Sequence, residues 1–456
     1  MAGNSVSNQN SSLREHARII WQAGVDAVRP EILVPEALNN SEIRQALAGA
    51  KHILVLGGGK AGAAMSAALE AALPDSLAKI QGVVNVPTET VRPLQAIQLH
   101  AARPARTNHP TVEGVAGARR VLELVQSAGP EDVAICLLSG GGSALLPAPV
   151  PGITLEDKQQ VTLLLHACGA TINEMNAVRK HLSAIKGGRL AQAFSGRVLF
   201  SLIISDVIGD PLDVIASGPT AADPSTFAEA LEVLNHYQLG EKVPVSVLRY
   251  LQAGAAGQHA ETLKTLPAHV RNIVIGNNDK ALAAAQARAQ ELGYAVFNLG
   301  SAIAGETREV ASSMAPMIKS IAARGQPLPP PACILSGGET TVTLCEEHGL
   351  GGRNQEFVLA MAARLGMADL QNIAVLSGGT DGEDGPTDAA GALADIDTLR
   401  NASLEGLDPG DFLDRHDSYH FFEPLGDLLR TGLTQTNVMD IRVIMVGKPS
   451  SYQKNW

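Results

Sequence analysis

The sequence predicts an α/β fold of two domains: an N-terminal Rossmann-like, mostly parallel sheet flanked by helices, then a C-terminal α/β domain with a mixed sheet. Three observations predict it. Short apolar runs alternate with helical segments along most of the 456 residues, and the run at 199–204 (LFSLII) is continuously apolar, as strands buried on both faces are. Three such runs lead into small residues: Ser139-Gly140-Gly141-Gly142-Ser143, Ser336-Gly337-Gly338-Glu339 and Ser377-Gly378-Gly379-Thr380-Asp381. Composition then shifts at 253–270 (AGAAGQHAETLKTLPAHV), small and polar enough for a linker or an excursion, and strand–helix alternation restarts at Asn272. The length exceeds one ordinary domain. The expected division is 12–245 for the N-terminal domain, 246–331 for βα units and a joining linker, and 332–447 for the C-terminal domain.

Taken in order, residues 1–11 are polar and read as disordered. A helix follows, with Leu13, Ala17, Ile20, Gly24 and Val28 on one face at three- and four-residue spacing, ended by Pro30. A strand at 52–56 runs into Gly57-Gly58-Gly59-Lys60-Ala61-Gly62, and an alanine-rich helix follows. Gly57, Gly59 and Gly62 match a dinucleotide-binding pattern in the right context. A lysine inside the loop, and a next strand (82–87) that ends without an acid for a ribose hydroxyl, favour a phosphate or carboxylate clamp with Lys60 as its charge. Asn108-His109-Pro110 precedes a helix at 113–128. Residues 155–194 read as largely helical, with Arg179, Lys186 and Arg189 near the Gly187-Gly188 interruption as candidates to face a polyanion. Asp206 is the first acid past the strand at 199–204, where open α/β sheets place ligands. After βα units at 272–324 and a stiff Gln326–Pro331 connection comes a strand into Ser336, a loop opening a helix at Arg353, a strand into Ser377, and a last strand at 441–446.

Composition narrows the function. A net charge of −11 argues against nucleic acid and anionic membrane surfaces, and 3% aromatic content leaves few stacking platforms for single strands. Cys136, Cys168, Cys333 and Cys345 are scattered without metal or redox spacing, as reduced thiols in a cytosolic protein are. The N-terminus lacks an apolar leader, and no apolar run approaches the ~18 residues of a membrane span. A cytoplasmic protein acting on a small molecule is expected, with its oligomeric state left open. No GxxxxGK[ST] motif occurs, so a P-loop is excluded, and Ser143 lacks the second glycine of a nucleophile elbow.

The motifs fit phosphoryl transfer, which needs a phosphate cradle, a divalent metal and a positioned cation. Gly140, Gly141, Gly142 and Ser143, with Ser336, Gly337 and Gly338, are the candidate cradles, and Lys186 is a further phosphate contact. Asp206, Glu339, Asp381 and Asp384 are candidate metal ligands. Lys60 and Arg353 are the candidate cations; between a glycine pair and a helix start, Arg353 can reach an oxyanion as a bidentate fork.

Seven ordered stretches together resemble the class II glycerate 2-kinases, whose C-terminal part is the MOFRL domain: 57–65 (GGGKAGAAM), 137–149 (LLSGGGSALLPAP), 176–191, 204–220 (ISDVIGDPLDVIASGPT), 335–344, 349–360 (GLGGRNQEFVLA) and 376–392. The resemblance runs from about residue 12 to 447. It implies ATP- and Mg²⁺-dependent phosphorylation of D-glycerate at its 2-hydroxyl, on two domains with the site in the cleft. Its active-site lysine falls on Lys60 and its arginine on Arg353, with Asp206 or Asp381 holding Mg²⁺ or orienting the 2-hydroxyl. Members of the family have also carried the label hydroxypyruvate reductase, an NAD(P)H-dependent alternative that the missing ribose acid disfavours.

Overall fold

The computed structural model describes residues 3–105 and 109–448. The chain divides into two units, Pro30–Ile275 and Met1–Arg29 with Gly276–Trp456. The helix at the start of the chain therefore packs with the C-terminal half, which no local pattern foretold. That helix spans Gly3–Ala27, so residues 3–11, expected to be disordered, continue it backwards, while residues 1–2 lie outside the described residues. The expected face is buried at Leu13, Ala17, Ile20 and Val28. Gly24 is required by close packing: a Cβ there would stand 2.9 Å from Ile441 Cδ1 and 3.1 Å from the Ala281 carbonyl oxygen. Trp21 Nε1 donates to the Gly378 carbonyl at 3.2 Å, and Arg14 pairs with Asp395 at 3.1 Å.

The sheet of the Pro30–Ile275 unit is built from β1 (Ile53–Gly58), β2 (Ile80–Pro87), β3 (Ile97–Arg103), β4 (Val133–Leu138), β5 (Val198–Ile204) and β6 (Val270–Gly276). Their order is β3-β2-β1-β4-β5-β6, and β1 to β5 pair in parallel. This is the doubly wound order, with the direction of winding reversing between β1 and β4. The run at 97–103 (IQLHAAR) was not read as a strand; it pairs on one side only and mixes polar with apolar residues. A second buried layer, with Val161, Val178, Phe227 and Val247, unites the helices Leu155–Ala167, Ile172–His181, Phe227–His236 and Val245–Ala255. Residues 256–269, part of the expected linker, instead fold back onto this unit. Leu263 N donates to the Gly187 carbonyl at 2.9 Å, and Glu261 reaches the buried His181 Nε2 at 2.9 Å.

The other unit holds β7 (Ala295–Asn298), β8 (Ala332–Gly338), β9 (Ile373–Gly379), β10 (Gly391–Ala394), β11 (Leu428–Leu429) and β12 (Asp440–Val446), ordered β11-β10-β9-β12-β8-β7. The sheet is mixed: β7 and β8 run parallel, and β12 lies antiparallel between β8 and β9. Its core packs Phe357, Met361, Ile373, Val375 and Ile444 together. No helix among the described residues is long and apolar enough to cross a membrane.

Candidate active site

In the Pro30–Ile275 unit the site grows from the reversal point between β1 and β4. The loops leaving these neighbouring strands are stitched together: Lys60 N donates to the Gly140 carbonyl at 2.8 Å and Ala61 N to Ser139 Oγ at 3.0 Å. Gly59 has φ +157, and a Cβ there would stand 2.1 Å from Ser139 Oγ, so only glycine lets the loops touch. The amides of the first loop are spent internally, since Gly59 N donates to the Asn85 carbonyl at 3.2 Å and Gly62 N to the Gly59 carbonyl at 3.0 Å. The anion-binding capacity of that loop therefore lies in its side chains. The side chain of Lys60 and the buried guanidinium of Arg103 flank Gly141: a Cβ at Gly141 would meet them at 3.3 and 3.0 Å.

Beyond Gly141 opens a cavity of about 550 Å³, lined among others by Gly141, Ser143, Lys158, Arg179 and Lys186. Lys186, 2% exposed, donates to the Ser143 carbonyl at 2.7 Å and also reaches its Oγ; Arg179 bonds the same Oγ. Ser217 Oγ lies 3.0 Å away on its other side. Lys158 Nζ donates to the Leu182 carbonyl at 3.0 Å. Among the described residues that line it, none is a carboxylate. The electrostatic consequence is direct. Burial, with Arg179 and Arg189 nearby, pushes the Lys158 ammonium down to about 7. Burial, with Arg179, Lys158 and Lys180, holds Lys186 well below the usual lysine range. Sequence reasoning named Lys186 and Arg179 but missed Lys158; the helical segment around it, LEDKQQV, gives no sign that a lysine points inward. Asp206 sits half-buried just past the end of β5, and His109 lines the cavity mouth; Asn108 lies outside the described residues.

In the other unit the site forms where the C-terminal ends of β8 and β9 flank the start of β12. Asp440 pairs in register with Gly338 on one side and Gly379 on the other. Arg353 opens the helix Arg353–Asp369 and grips Asp440 with two bonds, Nε to Oδ2 at 2.7 Å and Nη2 to Oδ1 at 2.9 Å. Its Nη1 is 3.2 Å from Glu339 Oε1. Burial works against the charge on Arg353, but Asp440 and Glu339 more than offset it and hold the guanidinium firmly protonated. Asp384, fully buried, caps the same helix: Asn354 N donates to Oδ1 at 3.0 Å and Gln355 N to Oδ2 at 2.9 Å. Burial pushes the Asp384 carboxyl up to about 6, against the pull of Arg353 and those two amides. A Cβ on Gly352 would meet Asp384 Cγ at 2.3 Å, so this cap needs glycine before the arginine.

Ser336, Gly337 and Gly338 are the last residues of β8, and Gly337 N is bonded to the Gly300 carbonyl at 2.9 Å. Their smallness serves packing: a Cβ on Gly337 would fall 1.6 Å from Asn278 Oδ1. Among the described residues no three His, Cys, Asp or Glu side chains converge on one point, and Glu339 is committed to Arg353. Asp381 stands in the turn after β9, where its Oδ1 accepts from Glu383 N at 3.1 Å. Magnesium asks less than a full protein cage, commonly one or two carboxylates plus phosphate oxygens and water, so single carboxylates such as Asp206 and Asp381 remain compatible with it. Asp440, the residue that orients Arg353, was missed. It directly precedes the apolar run of the last strand, which was the one signal available.

Comparison with known proteins agrees over the whole length. Residues 16–252 match a domain of unknown function, DUF4147, and residues 332–440 match the MOFRL family. A putative hydroxypyruvate reductase of Agrobacterium vitis is 42% identical over 96% of this chain and 95% of its own. The glycerate 2-kinase of Pyrococcus horikoshii is 41% identical over 74% of this chain and 76% of its own. Among solved structures, the glycerate kinase of Thermotoga maritima superposes with a TM-score of 0.83 at 36% identity, covering 96% of this chain and 100% of that one. With its doubly wound N-terminal sheet, its basic cavity and its MOFRL-type unit, the chain belongs to the glycerate kinase family.

Proposed function

We propose that this chain is an ATP-dependent glycerate kinase that transfers the γ-phosphoryl group to the 2-hydroxyl of D-glycerate, giving 2-phosphoglycerate and ADP. The observation that carries the reading is the cavity beside the β1–β4 reversal point, where Lys158, Arg179 and Lys186 are gathered with no carboxylate among the described lining residues. Such a cavity is costly unless an anion arrives, because buried charges without partners are destabilising. In the transfer, the bond from the γ-phosphorus to the ADP oxygen breaks, a bond to the 2-oxygen forms, and the 2-hydroxyl proton is lost. Lys60, over Gly141, and Arg353, held rigid by Asp440, are the cations we assign to the glycerate carboxylate and the transferring group. A guanidinium fixed in advance stabilises developing charge without reorganising. Magnesium would enter with the nucleotide, with Asp206 or Asp381 as single protein ligands, and would neutralise charge on the phosphate oxygens. A cytoplasmic location fits a soluble metabolic substrate and is part of the proposal.

The second reading is an NAD(P)H-dependent hydroxypyruvate reductase, as the Agrobacterium vitis relative is named. Two observations weigh against it. The amides of Gly59, Lys60, Ala61 and Gly62 are already bonded within the protein, so the loop is poorly suited to a pyrophosphate. Glu89, the acid after β2, accepts from Ala105 N at 2.8 Å and serves the backbone instead of a ribose. A paired assay decides. One arm follows ADP release from MgATP and D-glycerate, with the phosphate position read by ³¹P NMR; the other follows NADH and NADPH oxidation with hydroxypyruvate. ADP release with phosphate at the 2-position is the expected result. Nicotinamide turnover without ADP would overturn the kinase.

A further inference from the structure

We infer that the cavity holding Lys158, Arg179 and Lys186 seats the polyphosphate chain of the phosphoryl donor, and that the acid acceptor binds elsewhere. The inference rests on the kinase reading and assigns one of its two ligands to a particular set of side chains. Charge balance is the first argument. Lys158, Arg179 and Lys186 line one cavity with no acid among its described lining residues, and Arg179 and Lys186 meet on a single serine oxygen. A three-carbon monocarboxylate would leave two of these charges uncompensated in a buried setting, whereas a triphosphate matches them. Size is the second. At about 550 Å³ the cavity falls in the range of sites for nucleotide-sized ligands and far exceeds what glycerate fills. Mixed polarity is the third: Pro147, Val161 and Leu182 line the cavity together with the basic groups, offering apolar surface to a nucleoside as well as cations to its phosphates. Position is the fourth, since doubly wound sheets bind nucleotides outside the strand ends at the reversal of winding.

The contrast with Arg353 sharpens the assignment. That guanidinium is already held by Asp440 and Glu339, so it serves as a fixed, oriented donor and not as unmet charge that seats a polyphosphate. The depressed lysines add a signature: a bound polyanion restores their protonated forms, so binding draws protons from solution.

The test is steady-state kinetics of the full chain carrying Lys158→Met or Arg179→Met. Losing one charge-assisted contact should raise the KM for ATP about tenfold or more in each variant, with the KM for D-glycerate unchanged. A rise confined to the KM for D-glycerate would overturn the assignment. Should a variant fold poorly, the unaltered protein still decides. Inorganic tripolyphosphate should compete with ATP, and its binding near pH 8, followed by calorimetry in buffers of different ionisation enthalpy, should take up protons. Competition with D-glycerate alone, or no inhibition at all, would equally overturn it. If the unaltered chain releases no ADP with D-glycerate but tripolyphosphate and MgADP still bind with proton uptake that Lys158→Met reduces, the kinase reading fails while the polyphosphate site stands.

Discussion

The two halves of this protein treat buried charge in opposite ways. In the Pro30–Ile275 unit, Lys158, Arg179 and Lys186 share a cavity with no acid among its described lining residues, and burial drives both lysines toward neutrality. In the other unit, Arg353 is gripped by Asp440 and Glu339, and Asp384 caps its helix. In the proposed reaction an anion completes the first arrangement. The second is complete already, and spends its charge on holding one guanidinium still. Binding sites and transition-state sites call for these different solutions: affinity comes from unmet charge, rate from charge fixed beforehand.

The comparison breaks most decisively at Arg353. Replacing it with alanine should lower kcat on the order of 10³-fold, but it also strips the fully buried Asp440 of its partner, which costs roughly 3–5 kcal/mol. Arg353→Lys keeps the charge while losing the bidentate fork, and is the cleaner variant: kcat should still fall steeply while far-ultraviolet circular dichroism stays unchanged. A kcat near the original value in Arg353→Lys would remove this guanidinium from the chemistry. Lys60→Ala should cost about 10- to 100-fold in kcat/KM, as expected for one charge-assisted contact, with thermal unfolding little altered because the Lys60 backbone makes the loop contact. Unaltered kinetics would confine Lys60 to a structural role.

Smaller effects test the packing and the charge accounting. Gly337→Ala should destabilise the C-terminal unit by roughly 1–3 kcal/mol in urea denaturation, since its methyl group would strike Asn278. A stable, active Gly337→Ala would favour the phosphate-cradle reading of Ser336–Gly338. The last prediction concerns pH. The folded-state value of Lys158 is depressed to about 7, so the unfolded chain binds more protons between there and the ordinary lysine value. Its penalty on stability is therefore full below about pH 7 and fades as pH rises towards 10. Lys158→Met, measured without ligand, should be more stable than the unaltered protein at pH 6, with the gap closing by pH 10. A gap that is constant with pH would mean that the lysine is solvated.

Much of the scaffold was legible from the chain. The apolar runs at 52–56, 133–138, 199–204 and 441–446 became β1, β4, β5 and β12 within a residue or two, because buried strands declare themselves by unbroken apolar sequence. Helix starts were legible at Leu155, which Thr154 caps, after Asn277, and where glycine precedes Arg353. Short strands such as β10 and β11, at four and two residues, gave no period to read. What the sequence by itself determined was local: which segments are strands or helices, which loops are glycine-bound, and which family the ordered motifs resemble. Tertiary structure alone decided the rest. It joined the N-terminal helix to the C-terminal unit through Trp21 and Gly24, and packed Gly337, at the end of β8, against Asn278. It also brought Lys158 to Arg179 and Lys186, and Asp440 to Arg353 across 87 residues of chain. Burial and charge pairing depend on what lies across the fold, and no window along the chain contains that information.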